Sequence, residues 1–368
     1  MWRRTPFLSR LSGQSLGLAV CRRMHTGAAA GPAEPVIDVH AHVVLGATMG
    51  TAGGFGPELG VDADGTPWFR IGEYYLRGVQ YKGSPFMDAS VRLARMERDG
   101  ISFQVLSPNP LTYFHYIPAQ EAVRFCRAHN DALAKLVADH PHRLAGLAAL
   151  PVQCPESAAE ELQRAVRELG LLGGGIGTEW GTPLDSPELD VVWATATSLD
   201  VPIFMHPAPR GIDGPVGDPR LRRFELDVVV GFNLESTLAI CTLIFGGVLA
   251  RHPNLDLCFP SGGGAIPFVS GRLAAAAAAP RPWVSDELRS RGALERALRR
   301  LWFDTHVHDD GALQLLQRVA DPGHLVFGTN FAGWDQDQSK AASPPDTSML
   351  ELTVNARRLL RRPHLCVR

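Results

Sequence analysis

Val36-Ile37-Asp38-Val39-His40-Ala41-His42 is a largely apolar run that closes on two histidines one residue apart. A run of this kind is predicted to be a strand, and side chains two apart on a strand point the same way. Two imidazoles about 7 Å apart on one face can converge on a single ion. Neutral imidazole is a favoured ligand for zinc. The same strand is followed by histidines rather than by a glycine-rich turn, which argues against a dinucleotide-binding doubly wound sheet.

Working outward from that strand, short β-branched or apolar runs alternate with longer amphipathic stretches. Strands are predicted over 36–44, 103–107, 144–150, 174–177, 201–206, 255–259, 301–305 and 324–329. Helices are predicted over 90–99, 119–138, 156–169, 188–199, 236–251, 285–300, 311–320 and 349–360. Pro118, Pro155 and Pro187 stand just ahead of three of them, where helices commonly begin. Eight strand-then-helix repeats over about 330 residues predict an α/β fold of the (β/α)8 TIM-barrel class.

Composition narrows the function. The chain has 368 residues, 45% of them hydrophobic and 20% charged, with a formal charge of -2. It therefore lacks the basic footprint of a nucleic-acid or anionic-membrane binder. No stretch approaches the ~18 apolar residues of a spanning helix. Cys21, Cys126, Cys154, Cys241, Cys258 and Cys366 are scattered without a Cys-x-x-Cys pair, which speaks against a disulfide scaffold or thiolate zinc module and fits an intracellular, reducing compartment. Residues 1–35 carry Arg3, Arg4, Arg10, Arg22 and Arg23 and no acid before Glu34. That is the make-up of a mitochondrial transit segment ahead of a barrel domain over 36–368. Initiation at Met24, giving a cytosolic enzyme, is the alternative.

Barrels of this class place their chemistry at the carboxyl ends of the strands. Those ends hold His40 and His42 (first), His206 (fifth), Ser261 (sixth) and Asn330 (eighth). With these positions goes a set of ordered strings: Ile176-Gly177-Thr178, Phe204-Met205-His206-Pro207, Glu235-Ser236-Thr237-Leu238-Ala239-Ile240-Cys241, Gly246-Gly247-Val248, Cys258 to Arg272, Gly328-Thr329 and Asn355-Ala356. On them the chain resembles the amidohydrolase superfamily, and within it the 2-amino-3-carboxymuconate-6-semialdehyde decarboxylase family, from about Val36 to Leu360.

The resemblance implies one zinc ion per chain, held by His40, His42 and His206. It places the family's fourth ligand, an aspartate, at Asn330, and the family's catalytic histidine at Ser261. An asparagine still offers a carbonyl oxygen, without charge. A hydroxyl cannot take up a proton near neutral pH as histidine can. His308, two residues after His306, is the candidate substitute. The resemblance also assigns Arg70 and Arg272 to substrate carboxylates, one of them serving the neighbouring subunit, and so implies a homodimer. Guanidinium forks suit carboxylates because they donate two parallel hydrogen bonds. The segment 174–178 has no lysine to bridge two ions, and the Gly262–Gly264 run lacks the Lys-Ser/Thr ending of a phosphate loop, so it is read as close backbone packing.

The preferred expectation is a zinc-dependent, non-oxidative decarboxylase (a carboxy-lyase) of an unsaturated semialdehyde or aromatic carboxylic acid. Ser261 and Asn330 keep open a barrel that binds a ligand or partner subunit without turnover. A metal-dependent hydrolase is the third reading.

Overall fold

The computed structural model describes residues 35–209, 211, 215–336 and 349–365. The arginine-rich segment 1–34, Cys21 and Cys366 lie outside the described residues.

In chain order the elements begin with β1 (Ile37–Val43), β2 (Glu58–Val61), β3 (Pro67–Ile71), β4 (Tyr74–Arg77), α1 (Ala89–Arg98) and β5 (Phe103–Pro108). There follow α2 (Ala119–Asp139), β6 (Leu144–Gly146), β7 (Ala148–Ala149), α3 (Pro155–Arg167), β8 (Gly174–Ile176) and α4 (Asp190–Leu199). Next come β9 (Ile203–Met205), α5 (Leu226–Val229), α6 (Gly231–Phe245), α7 (Val248–Arg251), β10 (Leu257–Phe259) and α8 (Ile266–Ala278). The last are α9 (Asp286–Arg289), α10 (Ala293–Arg299), β11 (Trp302–Asp304), α11 (Asp310–Val319), β12 (Leu325–Val326) and α12 (Met349–Leu359).

Parallel pairing runs β1-β5-β6 and then β7-β8-β9-β10-β11-β12. The two ladders are one. Between β6 and β7 the Leu147 N–H still donates to Leu106 O at 2.8 Å, whereas the Ala148 N–H donates to Gly173 O at 2.8 Å. One strand thus hands its hydrogen bonds from β5 to β8. The ring closes where the Val39 N–H donates to Phe327 O at 2.9 Å and the Phe331 N–H to His40 O at 3.1 Å. These bonds give the eight staves expected of the barrel.

Inside the barrel, Ile37, Val39, Phe103, Val105, Leu147, Phe204, Trp302 and Val326 form a buried cluster with Leu359 and Leu360 at the end of α12. Each such side chain removed from water contributes on the order of 2 kcal/mol. A larger cluster fills the space between strands and helices, with Leu162, Trp193, Ile240, Leu243 and Leu316 at its centre. Helix starts follow local chemistry: the Asp88 carboxylate accepts from the Ser90 and Val91 N–H groups ahead of α1, and Asp309 caps α11 at the Ala312 N–H.

All eight predicted strands and all eight predicted helical stretches form, with differences that have physical causes. The stretch 236–251 is broken into α6 and α7 at Gly247, and 285–300 into α9 and α10 at Gly292; both glycines have φ near +75°. Three features escaped the sequence: the short helix α5, a hairpin meander and helix α8. The hairpin meander β2-β3-β4 is antiparallel and stands between β1 and α1. It packs Phe69 and Ile71 on Phe114, Ile117, Phe125 and Val44, covering one side of the barrel mouth. Helix α8 follows the Gly262–Gly264 run. Among the described residues no single helix is long and apolar enough to cross a membrane.

Candidate metal centre

The pairing of β1 with β5 slips between Asp38 and Ala41. Across that irregularity the inward face changes from Ile37 and Val39 to His40 and His42, which a bulge can do and a regular strand cannot. Beneath it, the Asp38 carboxylate accepts from the His40 and Thr329 N–H groups, each at 3.1 Å, from Gln104 Nε2 at 2.9 Å and from Thr329 Oγ1 at 2.7 Å. Buried Arg92 donates to Gln104 Oε1 at 2.9 Å and to His42 O at 2.6 Å. Burial lowers the Arg92 guanidinium to about 9 and raises the Asp38 carboxyl. This network locks the first, second and eighth staves under the histidine pair.

His40, His42 and His206 then meet, with ring centroids 4.6 to 5.2 Å apart. The ligand atoms of the three, all buried, lie within 4.8 Å of one another. Each Nδ1 has a partner that can only accept or prefers to: Asp304 Oδ2 at 2.6 Å for His40, Pro108 O at 3.2 Å with Ser107 Oγ at 2.9 Å for His42, and Pro207 O at 2.7 Å for His206. The Nδ1 atoms therefore carry the protons, and the Nε2 lone pairs are left for a ligand. Nε2 of His40 and of His42 is buried without any hydrogen-bond partner. Buried polar atoms are seldom left so, and two of them converging fits a pair of metal ligands. Burial is also the main reason that His206 is lowered to about 3 and His42 well below the usual histidine range, with neighbouring imidazole charge adding to it. All three rings suit a divalent metal, which takes neutral imidazole.

The remaining sequence-derived residues distribute as follows. Ser261 opens a turn after β10 with φ 51°; behind it a Cβ on Gly263 would stand 2.5 Å from the Phe303 ring and one on Gly264 2.1 Å from Asn233 O. The glycine run is close packing, as its sequence suggested. Asn330 donates through Nδ2 to Asp335 Oδ1 at 2.6 Å. His308 is 56% exposed, with Nε2 3.5 Å from Asp335 Oδ2. Arg70 lies on β3, its Nε and Nη2 forked on the Glu58 carboxylate at 3.2 and 2.5 Å and its Nη1 on Gly72 O at 2.8 Å. A substrate carboxylate can reach that fork only by exchanging with Glu58. Arg272 is exposed on α8.

Three residues of the site were missed in the sequence. Asp304 ends β11; besides His40 it accepts from the His306 N–H at 3.1 Å and the Gly262 N–H at 3.4 Å. Burial works to raise its carboxyl, and the bond and charge of His40 outweigh it and lower it. A lone acid closing Leu301-Trp302-Phe303 at a strand end was the available signal. His306 and Asp335 pair at 3.1 Å, and Asp335 stands in an irregular segment without any periodic cue.

A family model described as Amidohydrolase matches residues 37–361. The 2-amino-3-carboxymuconate-6-semialdehyde decarboxylase of Dictyostelium discoideum is 36% identical over 245 residues, which cover 66% of this chain and 66% of that protein. Among solved structures, a 2,6-dihydroxybenzoate decarboxylase complexed with 2,6-dihydroxybenzoate is 26% identical with a TM-score of 0.65, over 75% of this chain and 89% of that one. A dihydroxybenzoic acid decarboxylase from Polaromonas, solved with bound manganese, shares the fold at 22% identity and a TM-score of 0.67, over 89% and 97% of the two chains.

Proposed function

The chain belongs to the amidohydrolase family, and from that premise we propose that it is a metal-dependent, non-oxidative decarboxylase of an aromatic or aminocarboxymuconate-semialdehyde-like carboxylic acid. The observation that carries this reading is the convergence of one ligand nitrogen each from His40, His42 and His206 at the carboxyl mouth of the barrel. The decarboxylase names of the relatives support the reaction class over a hydrolase or a binding-only barrel. Zinc is the ion we propose, on the strength of an all-imidazole donor set; manganese is its competitor.

When bound, the ion supplies Lewis acidity to an oxygen of the substrate. The rest falls to the chain. Phe204 and Phe232 flank the histidine rings, 5.4 Å from His40 and 5.6 Å from His206, and keep water from the inner side of the site. Arg70 grips a carboxylate in exchange for Glu58. Loss of carbon dioxide leaves an electron pair on carbon, where a proton must enter. Ser261 can hand on such a proton only from water, because a hydroxyl is no base near neutral pH.

The homodimer implied by the family resemblance has support in an apolar face next to Arg272. Leu238 and Phe268 are 50% and 82% exposed on α6 and α8, elements joined where the Ala265 N–H donates to Thr237 Oγ1 at 2.9 Å. Phe268→Glu is expected to give monomers by light scattering. For the arginine-rich first 34 residues we propose mitochondrial targeting, with the cytosol as the alternative.

The test of function is carbon dioxide release from 2,6-dihydroxybenzoate and from the aminocarboxymuconate semialdehyde, using full-length protein reconstituted with zinc or manganese. Release that disappears in His206→Ala supports the proposal. Metal-loaded wild type that releases none from either acid overturns it.

A further inference from the structure

A second His-x-His lies at the same mouth. His306-Val307-His308 follows β11, and its two Nε2 atoms converge on one oxygen, Asp335 Oδ2, at 3.1 and 3.5 Å. We propose that His306, His308 and Asp335 form a second site for a divalent first-row metal ion, distinct from the His40–His42–His206 centre and standing on the rim beside it.

The geometry is that of a chelate. Two donors each about 2.1 Å from an ion stand roughly 3.0 Å apart at a right angle and roughly 3.4 Å apart at the tetrahedral angle. The observed spacings match these edges, and the three ligand atoms lie within 4.8 Å of one another. Two histidines and one carboxylate are a common donor set for first-row metals, and they leave coordination positions open. Exposure falls as such a site needs: His306 is 9% exposed, Asp335 17%, and His308 56%, which provides the entry path.

Outer supports are in place as well. Asn330 Nδ2 donates to the other carboxylate oxygen of Asp335 at 2.6 Å, which turns Oδ2 toward the histidines. The change from a family aspartate to Asn330 acquires a reason here. A carboxylate at 330 would face the Asp335 carboxylate at hydrogen-bond distance, whereas an amide donates to it. Asp304 ties the two sites together through its bonds to the His40 ring and the His306 N–H. The lack of a lysine on β8 excludes a lysine-bridged pair of ions and leaves a separate set of ligands untouched. An ion on the His308 Nε2 would take that nitrogen out of proton transfer, so the role of substitute base read from the sequence gives way to that of a ligand.

The experiment uses the full-length chain, stripped with chelator, dialysed against zinc and separately against manganese, and measured for metal per chain. Wild type is expected to hold two ions. His308→Ala and Asp335→Asn should each hold one, His206→Ala one, and His206→Ala/His308→Ala none. Because His308 is half exposed, its replacement leaves the fold intact, which circular dichroism checks. Wild type with a single ion that His308→Ala retains would overturn the second site, and so would two ions that persist in both His308→Ala and Asp335→Asn. The His206→Ala arm reports on the inner centre separately, so a failure there is not mistaken for a failure on the rim.

Discussion

Two His-x-His triplets share one barrel mouth and could hardly differ more in their surroundings. His40 and His42 are buried, with both Nδ1 atoms held by acceptors and both Nε2 atoms without partners. His306 and His308 step from buried to exposed, and both Nε2 atoms face a carboxylate. The first pair continues a strand locked on either side by β5 and the Phe327–Phe331 segment. The second follows β11, where the Val307 N–H donates to Thr305 O at 2.8 Å and the chain turns away toward α11. The same spacing therefore yields a dry, inward pair at one place and a wet, carboxylate-paired one at the other. Spacing proposes a chelate; burial and partners decide its character.

The largest effect expected from breaking this contrast is on the buried side. His206→Ala removes a ligand of the proposed inner centre, and its loss should exceed the ~10–100-fold in metal affinity that losing an outer partner costs. Metal content and carbon dioxide release measure it together. Asp304→Asn is next. It exchanges an obligate acceptor at His40 Nδ1 for a group that can also donate, and metal affinity in chelator competition should fall by about 10–100-fold.

Buried histidines of the interior and His306 on the rim should also respond to acid with opposite signs. Burial holds His206 and His115 down to about 3 and His129 to about 4. Their unfolded forms take up protons near 6.5, so metal-free protein loses stability as pH falls from 6.5 toward 3, each group adding about 1 kcal/mol per pH unit. His306 behaves the other way. Burial would lower it, but its bond to Asp335 and the charges of Asp304 and Asp335 prevail and raise it above 6.5. Its contribution is complete below 6.5 and is lost as pH rises through its folded value. Urea unfolding of metal-free protein from pH 8 to 5 should show the net fall with acid, steeper in Asp335→Asn, which lacks the offsetting pair. Stability independent of pH over that range would show that the inner imidazoles are not buried and neutral.

The smallest effect should come from His308→Ala in metal-free protein. An exposed side chain away from the core changes stability by no more than about 0.5 kcal/mol. A melting shift well beyond that would mean that the rim pair is part of the fold rather than an addition to it.

Much of the barrel was legible in the chain because its signals are local. The eight apolar runs, the prolines ahead of three helices and the histidines at strand ends each depend on a few neighbouring residues. Their reading survived down to the break of two predicted helices at Gly247 and Gly292. The meander β2-β3-β4 was not legible, since its strands 58–77 are short and half-buried and pack on Phe114 and Phe125 from a distant helix and turn. The site divides along the same line. That His40, His42 and His206 share a mouth follows from strand order alone. That His40 meets Asp304 across 264 residues, that Asn330 faces Asp335, and that Arg70 is already forked on Glu58 are matters of register and of where an irregular loop returns. Short-range pattern carries element and spacing; only closure of the ring brings together side chains that no local energy term couples.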